Sequence, residues 1–121
     1  MPSVEGLWSF QTNSHDDPDR YVYGGVVVLE TGRAFGGDSA MAHVGDYTVS
    51  GDGLTATLRS WQWNKEFDGE NVFGMESPNI DYMVRMEARR VGEELVGYIC
   101  PLDQPDQKLG IRMHFISNLP G

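Results

Sequence analysis

The sequence predicts an all-β domain, an antiparallel eight-stranded up-and-down barrel, and three observations predict it. Apolar residues recur at every second position in several segments, and short turns of Gly, Asp and Ser separate those segments. Glycines also sit inside or beside the strand patterns rather than only in the turns. Alternation with period two sends one set of side chains to each face of a strand, so the apolar set turns to a core. No stretch of a dozen residues holds a 3.6-residue apolar period, which removes helix as the main element.

Strands are expected near residues 4–11, 22–30, 33–36, 41–50, 54–64, 80–91, 94–100 and 108–116. The first carries Trp8 and Phe10, and the second is built on the run Val26-Val27-Val28-Leu29. Thr31-Gly32 splits that run from Arg33-Ala34-Phe35, and Ser50-Gly51-Asp52-Gly53 divides Tyr47-Thr48-Val49 from the fifth strand. In the fifth, Leu54, Ala56 and Leu58 alternate with Thr55, Thr57 and Arg59. In the sixth, Ile80, Tyr82, Val84, Met86 and Ala88 alternate with Asp81, Met83, Arg85, Glu87 and Arg89. Gly92-Glu93-Glu94 leads into Leu95-Val96-Gly97-Tyr98-Ile99, and Leu109, Ile111, Met113 and Phe115 mark the inward face of the eighth.

Short Gly- and Asp-containing connections between alternating runs are hairpin signals, so the strands form a meander. Closing that meander removes its exposed edges. Gly24, Gly25, Gly36, Gly37, Gly45, Gly97 and Gly110 lie in or beside strands, where glycine marks the bulges and bends that curl a sheet. Lys65 to Pro78 is the one long connection, expected to hold a helical turn around Glu70 to Phe73 and to cover one mouth as a flexible flap.

The 121 residues make one domain, 1–121, and 40% hydrophobic with 22% charged is ordinary globular composition. The longest apolar run, Val26 to Leu29, is far short of the roughly 20 residues of a membrane span. No basic stretch followed by an apolar one opens the chain, so export is not expected. A single Cys100 excludes an internal disulfide and fits a reducing cytoplasm. Eighteen Asp and Glu against nine Lys and Arg give a net charge of -9. Direct nucleic-acid binding is therefore disfavoured, because that affinity comes largely from cations on phosphates. Anionic lipid surfaces repel such a chain as well. The acidity suits basic protein partners or neutral small molecules, and solubility alone also accounts for it.

Chemical motifs are sparse. Gly36-Gly37-Asp38-Ser39 lacks the spacing of a phosphate loop and reads as a tight bend in which Asp38 bonds local backbone amides. His15, His43 and His114 lie in separate elements, His114 on an outward face, and Cys100 has no companion, so no metal site or cofactor is expected. The acidic cluster from His15 to Asp19 lacks the ligand spacing of a calcium loop. No nucleophile elbow accompanies the available Ser, His and Asp, so no catalytic residue is assigned and a non-enzymatic protein is expected.

An eight-stranded barrel sits at the size where side chains just fill the lumen or leave room for one small ligand. The residues assigned to that interior are Trp8, Phe10, Val26, Val28, Leu58, Tyr82, Val84, Met86, Ile111 and Met113, and the alternation serves a filled lumen and an open one equally. Arg59, Trp61 and Trp63 share the outward face of one strand, and tryptophan at that density outside a barrel points to a protein contact, here self-association.

The ordered set Gly6-Leu7-Trp8 with Phe10, Gly25 to Leu29, Gly32, Gly36-Gly37-Asp38, Gly45-Asp46-Tyr47 and Asp52-Gly53-Leu54-Thr55-Ala56 resembles the GrlR-like family. The likeness continues more loosely through the later strands to Phe115. It implies a bacterial cytoplasmic protein with a lipocalin- or calycin-like eight-stranded barrel that forms homodimers. It further implies negative regulation, in which a transcriptional activator of type III secretion genes is bound through an alternating Glu-Asp run in a hairpin loop. The positions matching that loop are Ser50, Gly51, Asp52 and Gly53, with one acid among them, so capture of that same activator is not implied. The expected function is thus non-enzymatic binding of a protein partner, with carriage of a small apolar ligand in the lumen as the alternative.

Overall fold

The computed structural model describes residues 3–121, so Met1 and Pro2 of the expected domain lie outside the described residues. Eight strands follow in chain order: β1 (Gly6–Thr12), β2 (Tyr23–Glu30), β3 (Arg33–Gly37), β4 (Met41–Ser50), β5 (Gly53–Gln62), β6 (Asp81–Val91), β7 (Glu94–Pro101) and β8 (Leu109–Ser117). Each pairs antiparallel with the next, and β8 returns to pair with β1, closing the barrel. The fold is the all-β, eight-stranded up-and-down barrel that the alternation predicts. Among the described residues no helix is long and apolar enough to cross a membrane.

The two ends of the barrel differ because their connections differ. At one end, two-residue turns join β2 to β3, β4 to β5 and β6 to β7. Thr31 and Gly32 have φ of 50° and 80°, the doubly positive pattern of a type I′ turn, while Gly51 and Gly92 take positive φ at the first central position of theirs. These tight turns let large side chains meet beneath them. Trp8, Leu29, Leu54, Leu95 and Met113 are fully buried. The Trp8 indole N–H donates to the Val4 carbonyl at 2.8 Å, and its ring meets Phe115 edge-on at 5.4 Å. The Arg90 guanidinium lies 5.8 Å from the centre of the Trp8 ring, with its Nη1 buried.

The opposite end carries the longer connections, residues 13–22, 38–40, 63–80 and 102–108. Residues 63–80 contain no helical turn; Asn71 accepts hydrogen bonds on Oδ1 from the amides of Phe73 (3.0 Å) and Met75 (2.8 Å), folding Glu70 back towards Glu76. A side-chain oxygen that captures these amides replaces the i→i−4 bonds a helix would need. The loop is tied down at several points. The Gln62 amide donates to the carbonyls of Asn64 (2.9 Å) and Phe67 (3.1 Å), the His15 amide donates to Val72 at 2.8 Å, and Gln107 donates to Phe73 at 3.1 Å.

One strand phase differs from expectation. Val27 and Leu29 point inward, whereas Val26 is 45% exposed and Val28 shares its outer face, so neither Val26 nor Val28 belongs to the lumen. Four consecutive apolar residues carry no period of two. Register decides instead: Val27 pairs with Trp8, and residues directly opposite on paired strands face the same side.

Glycine shapes the wall at inward positions. Gly36, Gly45 and Gly97 pair with Val27, Leu58 and Ala88, and a Cβ on any of them would overlap a carbonyl oxygen of the neighbouring strand. These are close backbone approaches in a tightly coiled sheet.

Candidate ligand-binding site

The barrel encloses a cavity of about 450 Å³ that opens among the longer loops. That volume falls within the range of small-molecule sites. Its deep wall is apolar. Val27, Leu29, Ala34, Ala56, Ile99 and Ile111 contribute to it from β2, β3, β5, β7 and β8, with Leu58, Val84, Met86 and Met113. Of the residues assigned to the lumen from sequence, Phe10, Leu58, Tyr82, Val84, Met86, Ile111 and Met113 line this cavity. Trp8 is completely buried in the plug below it and does not line it.

Nearer the mouth the lining becomes polar. The inward phase of β5 runs Leu54, Ala56, Leu58 and then Ser60 and Gln62, both fully buried; Ser60 lines the cavity, whereas Gln62 bonds the 63–80 loop and does not. The inward phase of β4 brings His43 opposite Ser60, and His43 Nδ1 and Ser60 Oγ are 2.6 Å apart, the donor being set by the imidazole tautomer. Tyr82, which also pairs with Ser60 in the register, reaches the same shelf from β6, and Asn71 reaches it from the 63–80 loop. His43, Ser60 and Asn71 escaped the sequence reading. Extending the Leu54-Ala56-Leu58 phase by one step finds Ser60, but Asn71 arrives from a loop and carries no periodic signal.

These polar groups are held neutral. Burial pushes the His43 imidazole below its ordinary value of 6.5, against the opposing pull of Asp38. Burial also pushes the Tyr82 phenol up to about 12, with Ser60 and Asn71 acting against the rise. The ionisable side chains lining the mouth besides these are Asp38 and Glu70, both acids. Asp38 Oδ1 accepts from the amides of Ala40 and Met41, each at 2.8 Å, which is the tight bend expected at Gly36-Gly37-Asp38-Ser39. Glu70 lies 3.4 Å from His15 Nε2, across the two loops that frame the opening.

The Ser60–His43 pair has the reach of a nucleophile and its base. Among the described residues, though, no carboxylate hydrogen-bonds the imidazole to orient it, as a catalytic triad requires. Nor does any group of three or more His, Cys, Asp or Glu side chains gather in a metal-binding arrangement among them. The shelf is an array of neutral hydrogen-bonding groups above an apolar chamber.

The other residues singled out from sequence lie elsewhere. Ser50 to Gly53 form the tight β4–β5 turn at the plugged end, far along the barrel from the mouth, where the Arg90 amide donates to the Asp52 carbonyl at 2.8 Å. Arg59, Trp61 and Trp63 face outward. The Arg59 guanidinium lies 4.4 Å over the Trp61 ring and grips Asp81 with two hydrogen bonds of 3.0 and 2.9 Å, holding the Asp81 carboxyl below its usual range. Trp63 is 53% exposed and donates its indole N–H to the Asp38 carbonyl at 3.0 Å. The register places these residues in an apolar outer face. Val28, Phe35, Val44, Arg59 and Met83 form one cross-strand row, and Val26, Gly37, Ala42, Trp61 and Asp81 form the next.

Comparison with protein-family models and with curated proteins returned no match.

The neutral state of His43 ties stability to pH. Unfolding returns the imidazole to its ordinary value of 6.5, so below that pH the unfolded chain binds a proton that the folded one resists. Stability is therefore full above pH 6.5 and falls as the pH drops through that region. Urea unfolding across a pH series should show this loss in the parent chain and a smaller one in His43→Gln.

Proposed function

We propose that this protein is a non-catalytic binder of a small, largely apolar molecule, held in the barrel lumen with its polar end at the mouth. The observation that carries the reading is the 450 Å³ chamber itself: apolar in depth, neutral and hydrogen-bonding at its rim, open at one end only. Sites of this kind are concave, mostly apolar, and bear a few placed polar groups. Met86 and Met113 give the wall adaptable surface for ligands of differing shape. A cytoplasmic location is part of the proposal, supported by the buried free Cys100. With a net charge of -9, neither nucleic acid nor an anionic membrane surface is a proposed partner.

The test is a titration with N-phenyl-1-naphthylamine, whose fluorescence rises in apolar surroundings. The parent chain should bind one molecule per barrel. Leu58→Trp, which fills the chamber from β5, should weaken binding by at least about tenfold, the scale of a lost apolar fit. Circular dichroism should report unchanged β structure in the variant. Absence of saturable binding in the parent chain overturns the reading.

A second reading, binding to a protein and self-association, is favoured by the outer face of β2 to β6. Ten residues in two registered rows present mainly apolar side chains there, including Phe35 at 40% and Val44 at 50% exposure. Its one ion pair, Arg59 with Asp81, cancels locally, so two copies can approach on this face despite the acidity of the chain. A contiguous apolar patch of this kind marks an interaction surface. The regulatory role expected from the GrlR resemblance would act through this face rather than through the β4–β5 turn, where Asp52 is the lone acid. Sedimentation equilibrium should return a homodimer for the parent chain and a monomer for Val44→Lys; a parent monomer at all concentrations contradicts self-association.

A further inference from the structure

We propose that the lumen selects neutral amphiphiles with an oxygen-bearing head, an alcohol or a carbonyl compound, and turns away carboxylates and amines. The inference rests on the lumen reading above and adds the chemical class of the ligand.

Charge at the lining comes first. Among the described residues the cavity is lined by no Lys or Arg, and its ionisable groups other than His43 and Tyr82 are Asp38 and Glu70. A fatty-acid carboxylate would enter past two like charges and find no cation to receive it, a cost that grows in low dielectric. Arg90 offers no rescue, because its guanidinium lies over the Trp8 ring and does not line the cavity. An ammonium head meets the two acids at the mouth, but both already have partners. Asp38 Oδ1 holds two backbone amides, and Glu70 faces His15. Beyond them the shelf would strip water from a cation and return no charge.

The shelf itself suits a neutral oxygen. Asn71 is oriented by its own loop: Oδ1 is committed to the amides of Phe73 and Met75, which fixes the direction of Nδ2. That Nδ2 is buried and closes no hydrogen bond of full geometry, while Asn71 lies close enough to Tyr82 to act against the rise of its phenol. Beside it Tyr82 lines the cavity, and the Ser60 hydroxyl is engaged by His43. A phenol that stays protonated can donate to a ligand oxygen, and that oxygen, with two lone pairs, can also satisfy a neighbouring donor. A buried donor lacking a partner favours a ligand that supplies an acceptor.

Competition against N-phenyl-1-naphthylamine at pH 7.5 tests this with four probes of equal chain length: 2-decanone, 1-decanol, decanoate and decylammonium. Both neutral probes should displace the dye at concentrations at least about tenfold lower than either ion. Tyr82→Phe removes one hydroxyl and should weaken the neutral probes several-fold more than it weakens the dye, whose two aromatic groups suit the apolar wall. Displacement by decanoate or decylammonium as effective as by the neutral probes overturns the selectivity and leaves the lumen reading standing. Dye saturation with no neutral probe competing also overturns it. A parent chain that binds neither dye nor probe overturns the lumen reading, and this inference falls with it.

Discussion

Pairing of β8 with β1 is the constraint on which the rest of the molecule depends. Trp8 pairs with Phe115 and Thr12 with Ile111, with a register irregularity between Leu7 and Trp8 where the strands adjust to one another. Without this seam the same eight strands would be an open sheet with two free edges, and their inward residues would line a groove exposed to water. With it, strand number sets the diameter, and eight strands leave an interior about as wide as one layer of side chains. Whether that interior is solid or hollow is then decided residue by residue.

The chain makes it solid at one end and hollow at the other. At the tight-turn end, Trp8, Leu29, Leu54, Leu95 and Met113 are fully buried, and edge-on packing of Trp8 with Phe115 completes an apolar plug. Burial of such large apolar side chains is the main favourable term in folding, so the plug and the closed ladder can hold the fold while the far half stays unfilled. Beyond the plug the inward positions become small and then polar: Ala34 and Ala56, then Ser60 and His43. Alanine and serine at these positions leave volume that a leucine would have filled. The connections at that end are longer because they frame an opening, and Asn71 and Gln62 hold the largest of them in place. A rigid apolar chamber with a neutral polar rim follows from this division.

Much of the fold was legible in the sequence because period-two alternation and hairpin chemistry are local. The β5, β6 and β8 phases through Leu58, Val84 and Met113 were readable from their own residues, and so were the turns at Gly32, Gly51 and Gly92. The phase of β2 was not, because Val26 to Leu29 is apolar throughout and takes its orientation from pairing with β1, a contact distant in sequence. The loop at residues 63–80 was legible as a cover for the mouth but not in its shape, which one Asn71 side chain dictates by capturing two backbone amides. The site was half legible. Its apolar wall follows from alternation, whereas its polar shelf joins β4, β5, β6 and a loop that only the closed barrel brings together. Glycine at Gly36, Gly45 and Gly97 announced curvature, and the close approach of neighbouring backbone that requires it becomes visible only when the wall is assembled.

Amide hydrogen exchange resolved by residue tests barrel closure most directly. If the seam is closed, the amides of β1 and β8 that bond across it should exchange as slowly as those in the centre of β5 and β6. Fast exchange along β1 and β8, with protection confined to β2 through β7, would show an open sheet, and both the chamber and its plug would have to be abandoned.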